Sequence, residues 1–242
     1  LGDGAAVLAV VLSRKDFWQE GIVSVHLNRE IEKLKGLILG QSALVEETVY
    51  KAVKAVEARD GKLAQEVIDG DERIDLAEVT IEEECLKILA LHQPVATDLR
   101  FIVAVLKINS DLERIGDLAA NIASRALKLS QITTAPEAII DFQDGEAKVQ
   151  QMLRQSLEAL VNLDENLAKV VCSSDDAIDD INRSVHKQVI RAIKEHPNDV
   201  DRFILLLSVS RNLERIADHA TNIAEDVVYM VRGEIVRHTK VS

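Results

Sequence analysis

The chain has 242 residues, with 29 Lys and Arg against 41 Asp and Glu, a net charge of −12. An acid balance of this size makes a poor general binder of nucleic-acid backbones or anionic membranes. With 47% hydrophobic residues, only three prolines and 3% aromatics, the composition predicts a folded chain built from long helices.

The first 24 residues carry an apolar run, Ala5–Leu12, of eight residues. A spanning helix needs about 20, and no basic stretch precedes the run, so neither membrane insertion nor a signal peptide is expected. From Leu27 onward a 3.6-residue period dominates. The first predicted helix covers Asn28–Arg59 and stops at Asp60-Gly61. The second covers Lys62–Leu91 and ends where Pro94 breaks the chain. The third covers Val95–Leu129, before a linker at Ile132–Pro136. The fourth covers Gly145–Val171. The fifth starts at Ser173–Asp175, with serine as cap, and runs to Glu195. Pro197 breaks the chain, and the sixth covers Asp199–Arg232.

The same order thus occurs twice. Leu112–Ala123 aligns with Leu213–Ala224 at an offset of 101, with nine of twelve positions identical. Asp71, Ile74, Asp75, Ile81 and His92 fall on Asp175, Ile178, Asp179, Val185 and His196 at an offset of 104. The expectation is an all-α fold of two tandem, pseudo-symmetric three-helix bundles with six long helices. Residues 1–24 form an N-terminal extension, 25–132 the first repeat and 133–242 the second.

Projection at ~100° per residue places acids at repeated positions. Asp71, Asp75, Glu78 and Glu82 border the apolar stripe of the second helix, and Asp175 and Asp179 do so on the fifth. Glu113 and Asp117, with Asn121 one turn on, lie almost opposite the core stripe of the third helix. Glu214, Asp218 and Asn222 repeat this on the sixth. Like charges at i, i+4 repel by a few tenths of a kcal/mol, so a cation is needed: a neighbouring arginine such as Arg114 or Arg215, or a metal. Oxygen-only donors suit hard ions, Mg²⁺, Ca²⁺, Mn²⁺ or oxidised iron. The competing reading is a solvated acidic face. Early in the third and sixth helices, Leu99, Val103 and Leu106, and Val200, Ile204 and Leu207, add a second apolar side. It is expected either to meet another bundle or copy or to complete each bundle's own core.

Other chemistry is not visible. Two cysteines, Cys85 and Cys172, make neither a disulfide framework nor a thiolate zinc site. No Gly-rich phosphate loop, Glu-x-x-His di-iron spacing or His-Glu-x-x-His site occurs. His92 and His196 end equivalent helices beside prolines and read as caps. His186 and His219 occur only in the second repeat.

The segments Leu112-Glu-Arg-Ile-Gly-Asp117 with Asn121, Leu213-Glu-Arg-Ile-Ala-Asp218 through Glu225, Pro94–Arg100 and His26–Lys35 together resemble the PhoU family. The resemblance covers residues 25–233, and the first 24 residues depart from it. It implies two three-helix bundles and a Glu/Asp-x-x-x-Asp metal pattern. Carried over, that pattern marks Asp71 and Asp75, Glu113 and Asp117, Asp175 and Asp179, and Glu214 and Asp218, with Asn121 and Asn222 as auxiliary ligands. The ions implied are iron, zinc, manganese or magnesium. The resemblance also implies a non-enzymatic, cytoplasmic negative regulator of phosphate-starvation genes, recruited by the transporter to the inner face of the membrane. Its implied partners are a sensor histidine kinase and the ATPase subunit of a phosphate ABC transporter, and a homodimer is common. The alternatives are a carboxylate-bridged metal enzyme and a purely structural oligomerisation module.

Overall fold

The computed structural model describes residues 3–132 and 143–233, with side chains described from 25 to 132 and from 145 to 233. The predicted linker falls largely on residues 133–142, outside the described residues. The described residues form seven α-helices: α1 Asp3–Ala58, α2 Gly61–Gly70, α3 Glu72–His92, α4 Ala96–Ser130, α5 Gln143–Asn162, α6 Glu165–Glu195 and α7 Val200–Arg232. No strand occurs among the described residues.

The predicted second helix is therefore two. The break at Asp71 is a kink, because that residue keeps helical angles (φ −60°, ψ −42°). Its carbonyl accepts from the N–H groups of Ile74 and Asp75, so the hydrogen-bond ladder resumes at once. Counting α2 and α3 as one bent rod leaves six rods, three in each half.

The predicted boundary between the fourth and fifth helices needs correction. The chain turns at Leu163-Asp164, not at Ser173. Asp164 Oδ1 accepts from the N–H groups of Asn166 and Leu167, as Asp60 Oδ1 accepts from those of Lys62 and Leu63. The residue before each cap is left-handed, Arg59 at φ 51° and Leu163 at φ 50°. Ser173 and Ser174 instead donate back to the Val170 carbonyl inside α6, a bond that lets serine sit mid-helix. Losing an aspartate cap costs ~1 kcal/mol. Asp164→Ala is thus expected to lower the unfolding free energy by about 1 kcal/mol in denaturant melts, and Ser173→Ala to leave it unchanged within about 0.5 kcal/mol.

The expected core stripe of α4 is in place. Ile102, Val105, Ile108, Leu112, Ile115, Ala119 and Ile122 are fully buried. One apolar cluster runs through all seven helices, and a smaller one joins Val185, Val189, Ala192 and Phe203 at one end of α6 and α7. Gly116 lets α4 approach α3, since a Cβ there would stand 2.8 Å from Ile74 Cδ1.

The two halves meet along α4 and α7, which run antiparallel. Arg125 Nε donates to Ser208 Oγ at 3.1 Å, and Asn222 Nδ2 to Asp111 Oδ1 at 3.2 Å. His219 Nδ1 lies 2.8 Å from the same Asp111 oxygen. Lys107 Nζ lies 3.2 Å from the buried Asp226 Oδ1 and over the Tyr229 ring. The second apolar side of α4 and α7 divides. Leu106 and Leu207 pack partly against the core, while Leu99 and Ile204 remain 41% and 53% exposed.

Within the first half, α1 and α3 are tied by charge. Glu84, almost buried on α3, receives Lys33 Nζ at 2.7 Å and Lys87 Nζ at 2.8 Å. The two lysines hold its carboxyl down to about 2. A depressed carboxyl stabilises the fold above its ordinary value of 4.5, and that contribution is lost as pH falls from there through about 2. Both lysines are about half exposed, so screening reduces the contribution to about 1 kcal/mol. Glu84→Gln is therefore expected to melt earlier than wild type near neutral pH, with the gap closing as acid is added.

Candidate functional site

The acids couple in two groups, a first crevice across α3 and α4 and a second across α6 and α7. In the first, Asp71 and Asp75 sit at the kink and first turn of α3, and Glu78 follows one turn on. Glu113 and Asp117 on α4 are electrostatically coupled to them. Burial, then the charges of Asp75 and Asp117, push the Asp71 carboxyl above its usual range. Burial, then Asp117 and Glu78, do the same to Glu113. Glu78 is raised by burial and by Glu82, Asp75 and Asp117. Asp117 thus acts on two α3 carboxyls and flanks this crevice, rather than lying on the far side of α4 as projection suggested.

The second crevice repeats the arrangement. Burial, then Asp179, raise the Asp175 carboxyl, against a 3.4 Å hydrogen bond from Thr221 Oγ1. Burial, then Asp175, Glu214 and Asp179, raise Asp218. The structure therefore brings Asp71, Asp75, Glu113 and Asp117 into one electrostatic group, and Asp175, Asp179, Glu214 and Asp218 into another.

The asparagines turn elsewhere. Asn121 Nδ2 donates to the Asp117 carbonyl, and its Oδ1 accepts from Arg125. Asn222 Nδ2 reaches Asp111 on the seam between the halves. His219, beside Asp218 in sequence, also points at Asp111.

The crevices differ in the cation they already hold. Arg114 Nε lies 3.6 Å from Glu113 Oε2, and its Nη1 4.0 Å from Asp117 Oδ2. Arg114 is more than half exposed, so this compensation is weak. Among the described residues, Asp175, Asp179, Glu214 and Asp218 make no ion pair. In the first crevice Asp71 Oδ1 is buried with no hydrogen-bond partner, and a buried acceptor left unsatisfied costs about 1–3 kcal/mol.

An orphaned carboxylate oxygen inside an all-carboxylate group fits a hard cation by donor chemistry. Among the described residues no three His, Cys, Asp or Glu side chains stand close enough to share one ion, so holding one requires rotamer changes on both helices. The cysteines lie apart from this chemistry, with burial pushing the Cys85 thiol up to about 12 and the Cys172 thiol up to about 11.

Sequence reasoning reached one of two further residues at and near the site, placing Glu78 on the acidic stripe, and missed the other, Asp111. Glu78 belongs electrostatically to the first crevice, although it lies outside the Glu/Asp-x-x-x-Asp spacing. Asp111 is the hub of the seam, and its counterpart at the 101 offset is Asn212, so the repeat comparison gave no signal for it. No helix among the described residues is long and apolar enough to cross a membrane.

A family model described as the PhoU domain matches residues 38–126 and 146–227, one segment in each half. A phosphate-specific transport system accessory protein PhoU homolog of Pseudomonas aeruginosa is 38% identical over 216 residues, 89% of each chain. The homolog of Aquifex aeolicus is 40% identical over 213 residues, 88% of this chain and 96% of its own. The crystal structure of PhoU from Pseudomonas aeruginosa superposes with a TM-score of 0.83 at 38% identity, covering 86% of this chain and 99% of that one. The phosphate transport system regulatory protein PhoU of Streptococcus pneumoniae gives 0.79 at 31%, covering 87% and 99%.

Proposed function

Since this chain belongs to the PhoU family, we propose that it is a non-enzymatic regulator of phosphate uptake that restrains the phosphate-starvation response. In this reading it works at the cytoplasmic face of the membrane, between the ATPase subunit of a phosphate ABC transporter and a sensor histidine kinase, and it self-associates. Relatives named as accessory proteins of phosphate transport, matched over nearly their whole length, support that role. The absence of a phosphate-cradling loop from the sequence agrees with phosphate status reaching the protein through partners.

The observation that carries the metal part of the reading is the matched pair of acid crevices, with carboxyls raised in both. Asp71, Asp75, Glu113 and Asp117 would hold cations in one, and Asp175, Asp179, Glu214 and Asp218 in the other, drawn from iron, zinc, manganese or magnesium. A bound cation supplies positive charge. The chain's own part is to hold the two acid-bearing helices of each half at fixed spacing, through the Gly116–Ile74 approach in the first and the Ser210–Asn182 hydrogen bond in the second.

The reading is tested in cells lacking this chain and grown with ample phosphate. A reporter of phosphate-starvation genes is expected to stay on, and to be silenced when the chain is restored. A reporter that remains silent without the chain contradicts the regulator role.

A further inference from the structure

We propose that the outward face of α3 in one protomer packs against the outward face of α6 in a second copy. The proposal rests on the self-association in the reading above and names its surfaces.

The internal repeat supplies the comparison. The core-facing residues Ile74, Ile81, Cys85 and Ile88 of α3 correspond to Ile178, Val185, Val189 and Ala192 of α6 at one constant offset, and all are buried. The two helices therefore sit in the same orientation, and their outward positions can be read against each other. On α3 the stripe opposite the core is Leu76, Val79, Glu83, Leu86 and Ala90; on α6 it is Asp180, Arg183, Lys187, Ile190 and Lys194. The fold tolerates charge at these positions, as α6 demonstrates, so it does not itself require the aliphatic side chains on α3. Leu76, Val79 and Leu86 are nevertheless 61%, 51% and 54% exposed, the first two one turn apart and the third beyond the intervening Glu83. Three large aliphatic side chains on one solvent face, where the equivalent helix carries mostly charge, favour a contact surface there.

Charge selects the occupant. Glu72, Glu82 and Glu83 on α3 are exposed and make no ion pair among the described residues. Two α3 faces brought together would oppose these acids, which disfavours a contact of α3 with itself. The α6 face offers the reverse. Lys187, Arg191 and Lys194 are exposed and make no ion pair among the described residues, and Ile190 is 44% exposed between them. It supplies an apolar centre for Leu86 and a basic surround for the α3 glutamates. Made reciprocally, α3 on its partner's α6 and α6 on its partner's α3, the contact closes a two-fold dimer.

The test is disulfide trapping between two distinguishable proteins. Glu83→Cys and Lys187→Cys are made separately in a Cys172→Ser background, one of them tagged, then mixed and oxidised. Cross-linked product is expected in the mixture at least tenfold above either variant alone. Leu86→Glu, at an exposed position, is expected to weaken association at least tenfold in sedimentation with helical content unchanged. Product equal in single variants and mixture, or none while the protein remains dimeric, overturns the α3–α6 assignment and leaves self-association standing. A monomer at every concentration overturns both, and an α3 face that instead retains a heterologous protein from the transporter or kinase assembly overturns the choice of occupant.

Discussion

Replacing Glu113, Asp117, Glu214 and Asp218 with alanine is expected to remove bound metal from both crevices while leaving helicity intact. The four side chains are the α7 and α4 halves of the two acid groups, and without them each crevice keeps donors from one helix only. A single i, i+4 pair leaves most of a hard cation's six or more oxygen positions to water, which weakens its hold on the ion. Elemental analysis after dialysis against Mn²⁺ should therefore fall to background.

The same variant should be more stable than the metal-free parent. Burial and neighbouring carboxylates raise Glu113 and Asp218 above their ordinary range, so their charged forms are disfavoured in the folded state. Above those raised values the charge destabilises the fold, and removing it helps. Like-charge pairs at i, i+4 cost a few tenths of a kcal/mol each, and cross-helix repulsion adds to this. A gain of about 1 kcal/mol corresponds to a melting point roughly 2–4 °C higher for a chain of this size. A variant that lost metal and also stability would mean that these carboxylates anchor the fold.

The largest loss of stability is expected from Leu112→Ala. Leu112 is fully exclusive of solvent within the cluster that joins both halves, and it lies on α4 between the first crevice and the seam. Truncating a leucine in such a site costs about 3–5 kcal/mol, transfer and cavity terms together. Leu213, its counterpart on α7, is 4% exposed and should cost nearly as much. Because one apolar cluster spans all seven helices, either substitution should shift a single cooperative transition in calorimetry. Two separated transitions would show that the halves unfold independently.

The repeat was readable because its strongest signal, Leu112–Ala123 against Leu213–Ala224, lies on the two helices that pair at the centre. Identical residues there answer to identical surroundings, and Ile115 and Ile216 are both fully buried. Periodicity also located both proline breaks and the α4 core stripe. It failed at α5–α6, where a helical pattern runs straight through the turn and Ser173-Ser174 imitates a cap. The 104 offset that matches Asp71 with Asp175 also carries Asp60 onto Asp164 and locates the true turn. The kink at Asp71 left no mark, because its backbone angles are those of a helix.

The acid pairs were legible as spacing, but not the crevice they line. A helical projection fixes angles about one axis and says nothing of the neighbour, so Glu113 and Asp117 seemed to face away from the bundle. Asp117 in fact acts on Asp71 across the α3–α4 gap. The seam was harder still. Asp111, His219 and Asn222 meet over more than a hundred residues of sequence, and only the fold brings them together.

Anomalous diffraction from crystals of the full chain soaked in Mn²⁺ tests the central claim most directly. Density is expected in both crevices, between Asp71, Asp75, Glu113 and Asp117 and between Asp175, Asp179, Glu214 and Asp218. Carboxylates pointing into solvent, or Arg114 closing on Glu113 and Asp117 with no ion between them, would contradict it.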